Sequence, residues 1–85
     1  MMTYNYLQDP GRGWLQVPMT EIRKLGLAQK ISDCSFRKGG DAFLEEDCDM
    51  SLFIKALRTT GQEFKLNEVH TDDDSPVRSY SSFYP

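Results

Sequence analysis

The chain has 85 residues, 39% of them hydrophobic and 12% aromatic, with a formal net charge of −3 and a pI near 5.0. That length holds one domain with one compact core and leaves little chain for a deep catalytic cleft. The acidic balance argues against direct nucleic-acid binding and against an anionic membrane surface, and no apolar run approaches the roughly 20 residues that span a bilayer.

Residues 2–7, MTYNYL, alternate Tyr4 and Tyr6 against Thr3, Asn5 and Leu7, the period of a strand. DPGRG at 9–13 is a turn, because Pro10 fixes φ and the two glycines permit positive φ. WLQV at 14–17 returns as a second strand. Pro18 ends it and suits the first turn of a helix. Met19, Ile22 and Leu25 follow at helical spacing, with Glu21 near the start, Arg23 and Lys24 near the end and Gly26 just past it. Residues 27–32 read as a turn into the next strand.

Residues 34–38 and 41–46 form a hairpin around Gly39-Gly40, with Phe36 opposite Phe43. The same register sets Cys34 against Glu45 rather than against Cys48. A second helix runs from Met50 to Thr59, with Leu52, Phe53, Ala56 and Leu57 as its apolar stripe, Asp49 as N-cap and Gly61 beyond its end. Residues 63–69 alternate imperfectly and make a fifth strand. Residues 70–85 have no periodicity and read as an irregular tail, free to dock through Val77, Tyr80, Phe83 and Tyr84. The order β-β-α-β-β-α-β predicts an α+β single domain with its core in 1–69. Its sheet is mostly antiparallel with about five strands, and two short helices cover one face and leave the other open.

The opening MMTYNYLQDP lacks the basic and apolar regions of a secretory signal, which predicts a cytoplasmic protein with Cys34 and Cys48 reduced. Two cysteines without a CxxC or a second ligand pair predict no metal, and nothing in the chain predicts a cofactor. There is no GxSxG, no P-loop and no Ser/His/Asp constellation, so no enzyme is expected.

The unusual feature is acidic. Asp41, Glu45, Glu46, Asp47 and Asp49 fall within nine residues that contain no lysine or arginine. Compensation of a helix dipole uses one or two carboxylates, each worth about 0.3–1 kcal/mol, and five exceed it. A calcium loop needs a glycine bend and a distal glutamate that this run lacks. Acid–base chemistry needs a pocket and a second catalytic group, and the only histidine, His70, follows the last predicted strand. Two readings remain: plain capping and solubility, or an acidic face for a protein partner with a basic surface, extended by Asp72, Asp73 and Asp74. A rival reading is a nucleotide or small-molecule site in which Arg12 and Arg78 hold phosphate, Trp14 stacks on a base and His70 adds a polar contact. A third is a homodimer closed through the open sheet face.

Asp9-Pro10-Gly11, Gly13-Trp14-Leu15, Leu44 to Asp49, His70 and Val77-Arg78 together carry a resemblance. They are similar to a family of small proteins of phages and other mobile elements of proteobacteria, patterned DPGHGWL, LEEDCD, histidine and Ile/Val-Arg. Arg12 stands where that pattern has histidine, a departure that weakens a catalytic or metal role for the turn. The resemblance implies a non-enzymatic accessory protein of the host bacterial cytoplasm. Such a protein binds and inhibits or modulates host machinery, including defence systems such as CRISPR complexes.

Overall fold

The computed structural model describes residues 1–85. In chain order its elements are β1 Met2–Gln8, β2 Gly13–Pro18, α1 Met19–Lys24, β3 Phe36–Lys38, β4 Asp41–Glu45, α2 Met50–Thr59, β5 Phe64–His70 and β6 Ser81–Ser82, with a 3₁₀ turn at Pro76–Ser79 before β6. The two expected hairpins form. β1 and β2 are antiparallel with Leu7 opposite Trp14, and β3 and β4 are joined by Gly39-Gly40 with Phe36 opposite Phe43. Gly39 has φ +59°, as a primed two-residue hairpin turn requires.

The sheet differs from the expected five antiparallel strands. It has six, in the order β5-β1-β2-β4-β3-β6, and β5 runs parallel to β1 along its whole length, Met2 opposite Phe64 to Gln8 opposite His70. The reason lies in α2. Its ten residues carry the chain about 15 Å back along β4 before β5 begins. A strand that follows such a crossover points the same way as the strand before it. Because β4 and β1 are both antiparallel to β2, β5 is also parallel to β1.

Both helices pack on one face, as expected. Met19 and Ile22 of α1 and Phe53 and Leu57 of α2 are buried against Tyr4, Leu15, Val17, Ala42 and Leu44. The opposite face is not open over β2, β4 and β3. There Trp14, Phe43 and Val77 form a second buried cluster, with Leu7, Phe36 and Tyr80 packed on it. Val77 and Tyr80 belong to the segment expected to be irregular. That segment is instead built into the fold, because β6 pairs with β3 and the Phe83 N–H donates to the Ser35 carbonyl. Only the β1–β5 part of this face stays exposed. No helix is long and apolar enough to cross a membrane.

One carboxylate fastens the tail. The Asp9 side chain is fully buried and accepts hydrogen bonds from the N–H groups of Gly11 (3.0 Å), Arg12 (2.9 Å) and Ser75 (2.9 Å). The Arg78 guanidinium grips both oxygens, at 2.5 and 2.8 Å. The Arg78 hydrogen bond holds the Asp9 carboxyl well below the usual carboxylate range; burial pushes the other way, and the three N–H donors reinforce the lowering. A folded-state pKa below the unfolded value of about 3.9 stabilises the fold fully above that value, and the contribution fades as pH falls toward the folded pKa. Between about pH 5 and pH 2, stability measured by Trp14 fluorescence in urea should therefore fall more steeply for the native chain than for Asp9→Asn, which should be less stable at pH 7. Identical acid dependence in the two proteins would contradict this role for Asp9.

Candidate functional site

The direction of three strands decides where the acids go. β1, β4 and β5 are mutually parallel, so the residues that follow them gather at one end of the sheet. Asp9, the run Glu45–Asp49, Glu68 and the run Asp72–Asp74 all lie at that end or on the turns leaving it. Asp41 does not, since it begins β4 beside Pro18 and accepts a hydrogen bond from Gln16 Nε2 at 2.8 Å.

The five acids of the 41–49 run are therefore not one surface. Glu45 is buried and ion-paired with Arg12. Asp49 is 5% exposed and does not cap α2 with its side chain. Its carboxylate instead accepts from the Ser32 N–H and hydroxyl and from the Ser35 hydroxyl (2.5 Å), while Ser35 Oγ accepts from the Glu45 N–H. Asp49 thus ties the 32–35 turn to the segment between β4 and α2. Glu45 and Asp49 are therefore structural, which corrects their assignment to a partner-facing surface. Charges taken out of water need donors, and these two have them.

What remains exposed is a different set. Glu46 accepts the Tyr6 hydroxyl, and Asp47 and Glu68 lie near enough to act on it through their charge, Glu68 also accepting from Gln8 Nε2. Burial raises the Tyr6 phenol pKa well above its ordinary value, and the Glu46 hydrogen bond and the charges of Glu46, Asp47 and Glu68 raise it further. Gly13 permits this arrangement, because a Cβ there would stand 2.6 Å from the Tyr6 hydroxyl. Asp72, Asp73 and Asp74 leave β5 over the same end, held by the Thr71 N–H donating to the Gln8 carbonyl at 2.8 Å. Only Asp74 has a cation within reach, Arg78 at 3.9 Å. Glu46, Asp47, Glu68, Asp72 and Asp73 are exposed and form no ion pair. Glu68 was hidden in the sequence, where it is one polar residue of an alternating strand; only the pairing of Tyr6 with Glu68 brings it to Glu46.

The rival set of ligand residues is partly assembled. Arg12, Trp14 and Arg78 line one pocket of about 350 Å³ together with Asp33, Cys34, Phe36 and Glu45. His70 is not part of it, since it ends β5 opposite Gln8 and is exposed. Trp14 is fully buried, and the Arg78 guanidinium sits 5.4 Å from its ring centroid, which leaves no free ring face for a base. Both arginines already hold carboxylates, Glu45 and Asp9. Trp14 Nε1 is the one buried side-chain polar atom without a hydrogen-bond partner.

Cys34 and Cys48 are joined by a disulfide, with Cα atoms 6.8 Å apart, contrary to the reduced pair expected from the sequence. Pairing of β3 with β4 stops at Phe36, so Cys34 is not held in strand register. The 32–35 turn, clamped by Asp49, instead lays it over the turn before α2. The bond closes a 14-residue separation, and a loop of that size stabilises a fold by about 3 kcal/mol. No protein-family model matches this chain, and neither does any curated protein or solved structure.

Urea unfolding of a Cys34→Ser/Cys48→Ser variant should show a loss of about 3 kcal/mol against the oxidised native chain, with the native far-UV spectrum kept. An unchanged midpoint would mean that the disulfide does not constrain the chain.

Proposed function

We propose that the protein is a non-enzymatic binding protein whose acidic end docks on the basic surface of a partner protein, of the kind that otherwise holds nucleic acid. One observation carries the reading: Glu46, Asp47 and Glu68 converge on Tyr6 at the end of the sheet that also carries Asp72 and Asp73, all exposed and without cationic partners. Like charges held together by a rigid sheet end create a local field that steers a cationic surface and sets its orientation. Tyr6, half-buried at the centre, adds an aromatic contact of the type enriched in interfaces. The partner class suggested by the mobile-element resemblance is a host bacterial protein in the cytoplasm, such as a component of a defence complex, which binding would inhibit or modulate. Direct contact with nucleic acid or membrane is not part of this reading.

The test is capture from host lysate by the immobilised protein, followed by titration of the captured partner at rising salt. Screening shortens the reach of exposed charges to about 8 Å at physiological ionic strength, so affinity should fall steeply as salt increases. Reversing Glu46, Asp47 and Glu68 to lysine should weaken binding about a hundredfold or more, while Asp41→Lys at the other end of β4 should leave it near native. Equal capture by the triple variant, or affinity insensitive to salt, would overturn the proposal.

A further inference from the structure

Three atoms of metal-binding type converge where the disulfide lies. Cys34 Sγ, Cys48 Sγ and a carboxylate oxygen of Glu45 are all within 4.8 Å of one another. They come from three separate segments: the 32–35 turn, the last residue of β4 and the turn before α2. Glu45 is the informative member. Its side chain is only 7% exposed, Arg12 donates to Oε1, and Oε2 receives no hydrogen bond from the protein. That oxygen reaches solvent, and Glu45 lines the pocket, so a lone pair is free to take a cation.

Two further features favour a metal. Cys48 stands one residue before Asp49, the N-cap position of α2, whose start has no side-chain cap, so the positive end of a ten-residue helix lies close to a Cys48 thiolate. The pocket of about 350 Å³ reaches Cys34 and Glu45 and supplies both an entry path and room for a water ligand.

We infer that, once the disulfide is reduced, Cys34, Cys48 and Glu45 form a site for one thiophilic divalent cation of the zinc class, with water from the pocket as fourth ligand. The S–S bond breaks by taking two electrons and two protons from a dithiol reductant, which leaves as its own disulfide. The cation then displaces the two thiol protons to solvent. Two thiolates, one carboxylate and a divalent ion carry the same net charge as a disulfide with one carboxylate. Arg12 therefore keeps its ion pair in both states. Zinc–sulfur bonds of about 2.3 Å in a tetrahedral site set the sulfurs about 3.7 Å apart, so they separate on reduction. Cys48 is exposed and Cys34 half-buried, so side-chain rotation suffices. Redox state would thus choose between a covalent and a metal-bridged clamp on the same two turns, a role independent of the acidic end.

The experiment uses the whole chain, oxidised or reduced with a phosphine, and Co²⁺ as a spectroscopic probe. The reduced protein should bind one Co²⁺ with a sulfur-to-metal charge-transfer band of two thiolates and tetrahedral d–d bands, and Zn²⁺ should displace it. The oxidised protein should bind none. Glu45→Gln should keep the charge-transfer band but bind about tenfold or more weakly, and Cys48→Ser should halve the band. Zn²⁺ should also raise the melting temperature of the reduced chain but not of the oxidised chain, a readout that does not depend on any variant folding. Absence of a thiolate band in the reduced chain would overturn the inference, as would Glu45→Gln binding as tightly as native.

Discussion

The Asp9 carboxylate joins the two ends of the chain. It shapes the first hairpin turn by accepting from Gly11 and Arg12, and it holds the tail by accepting from Ser75 and Arg78, whose positions are 66 and 69 residues away. Arg78 in turn lies over the Trp14 ring, and Val77 beside it completes the cluster on Trp14 and Phe43. Apolar burial alone would favour covering that face, but it is non-directional and would accept several placements of the tail. Compared with apolar side chains in the same place, a buried, multiply bonded ion pair gains little net stability after desolvation, although removing one partner is costly; what the pair adds here is one defined placement. With the tail fixed, β6 meets β3 and the second face is closed.

The same accounting separates the acids by role. Asp9, Glu45 and Asp49 are withdrawn from water and each is matched to donors on another segment, so they serve as ties between turns. Glu46, Asp47, Glu68, Asp72 and Asp73 are in water and unmatched by cations. Buried charges have to be paired inside the molecule, whereas exposed ones are available to others. The proposed docking surface is therefore what is left after the fold has taken the carboxylates it needs. It shares only Glu46 and Asp47 with the contiguous 41–49 run.

Alternation and turn chemistry made much of the fold legible. The bounds of α2, the Gly39-Gly40 hairpin and the Phe36–Phe43 pairing all follow from local pattern. The direction of β5 does not, because a period of two carries no sense of direction; it is set by how far α2 carries the chain. β6 is two serines and has no pattern to read. The tail is polar by composition, yet Val77 and Phe83 are buried, since Asp9 fixes where they land. Asp49 has the identity of an N-cap but is drawn away by Ser32 and Ser35, partners 17 and 14 residues earlier in the chain. Glu68 and the cysteine pairing are tertiary facts, invisible until strands and turns have been placed side by side.

Native-state hydrogen exchange on Asp9→Asn tests most directly whether this carboxylate holds the second face closed. The Arg78, Tyr80 and Phe83 amides, bonded to Ser75, Val77 and Ser35, should lose protection, while central sheet amides such as Leu15 and Leu44 keep most of theirs. If those three tail amides exchange in the variant as slowly as in the native chain, the tail is held by something else and the role assigned to Asp9 is wrong.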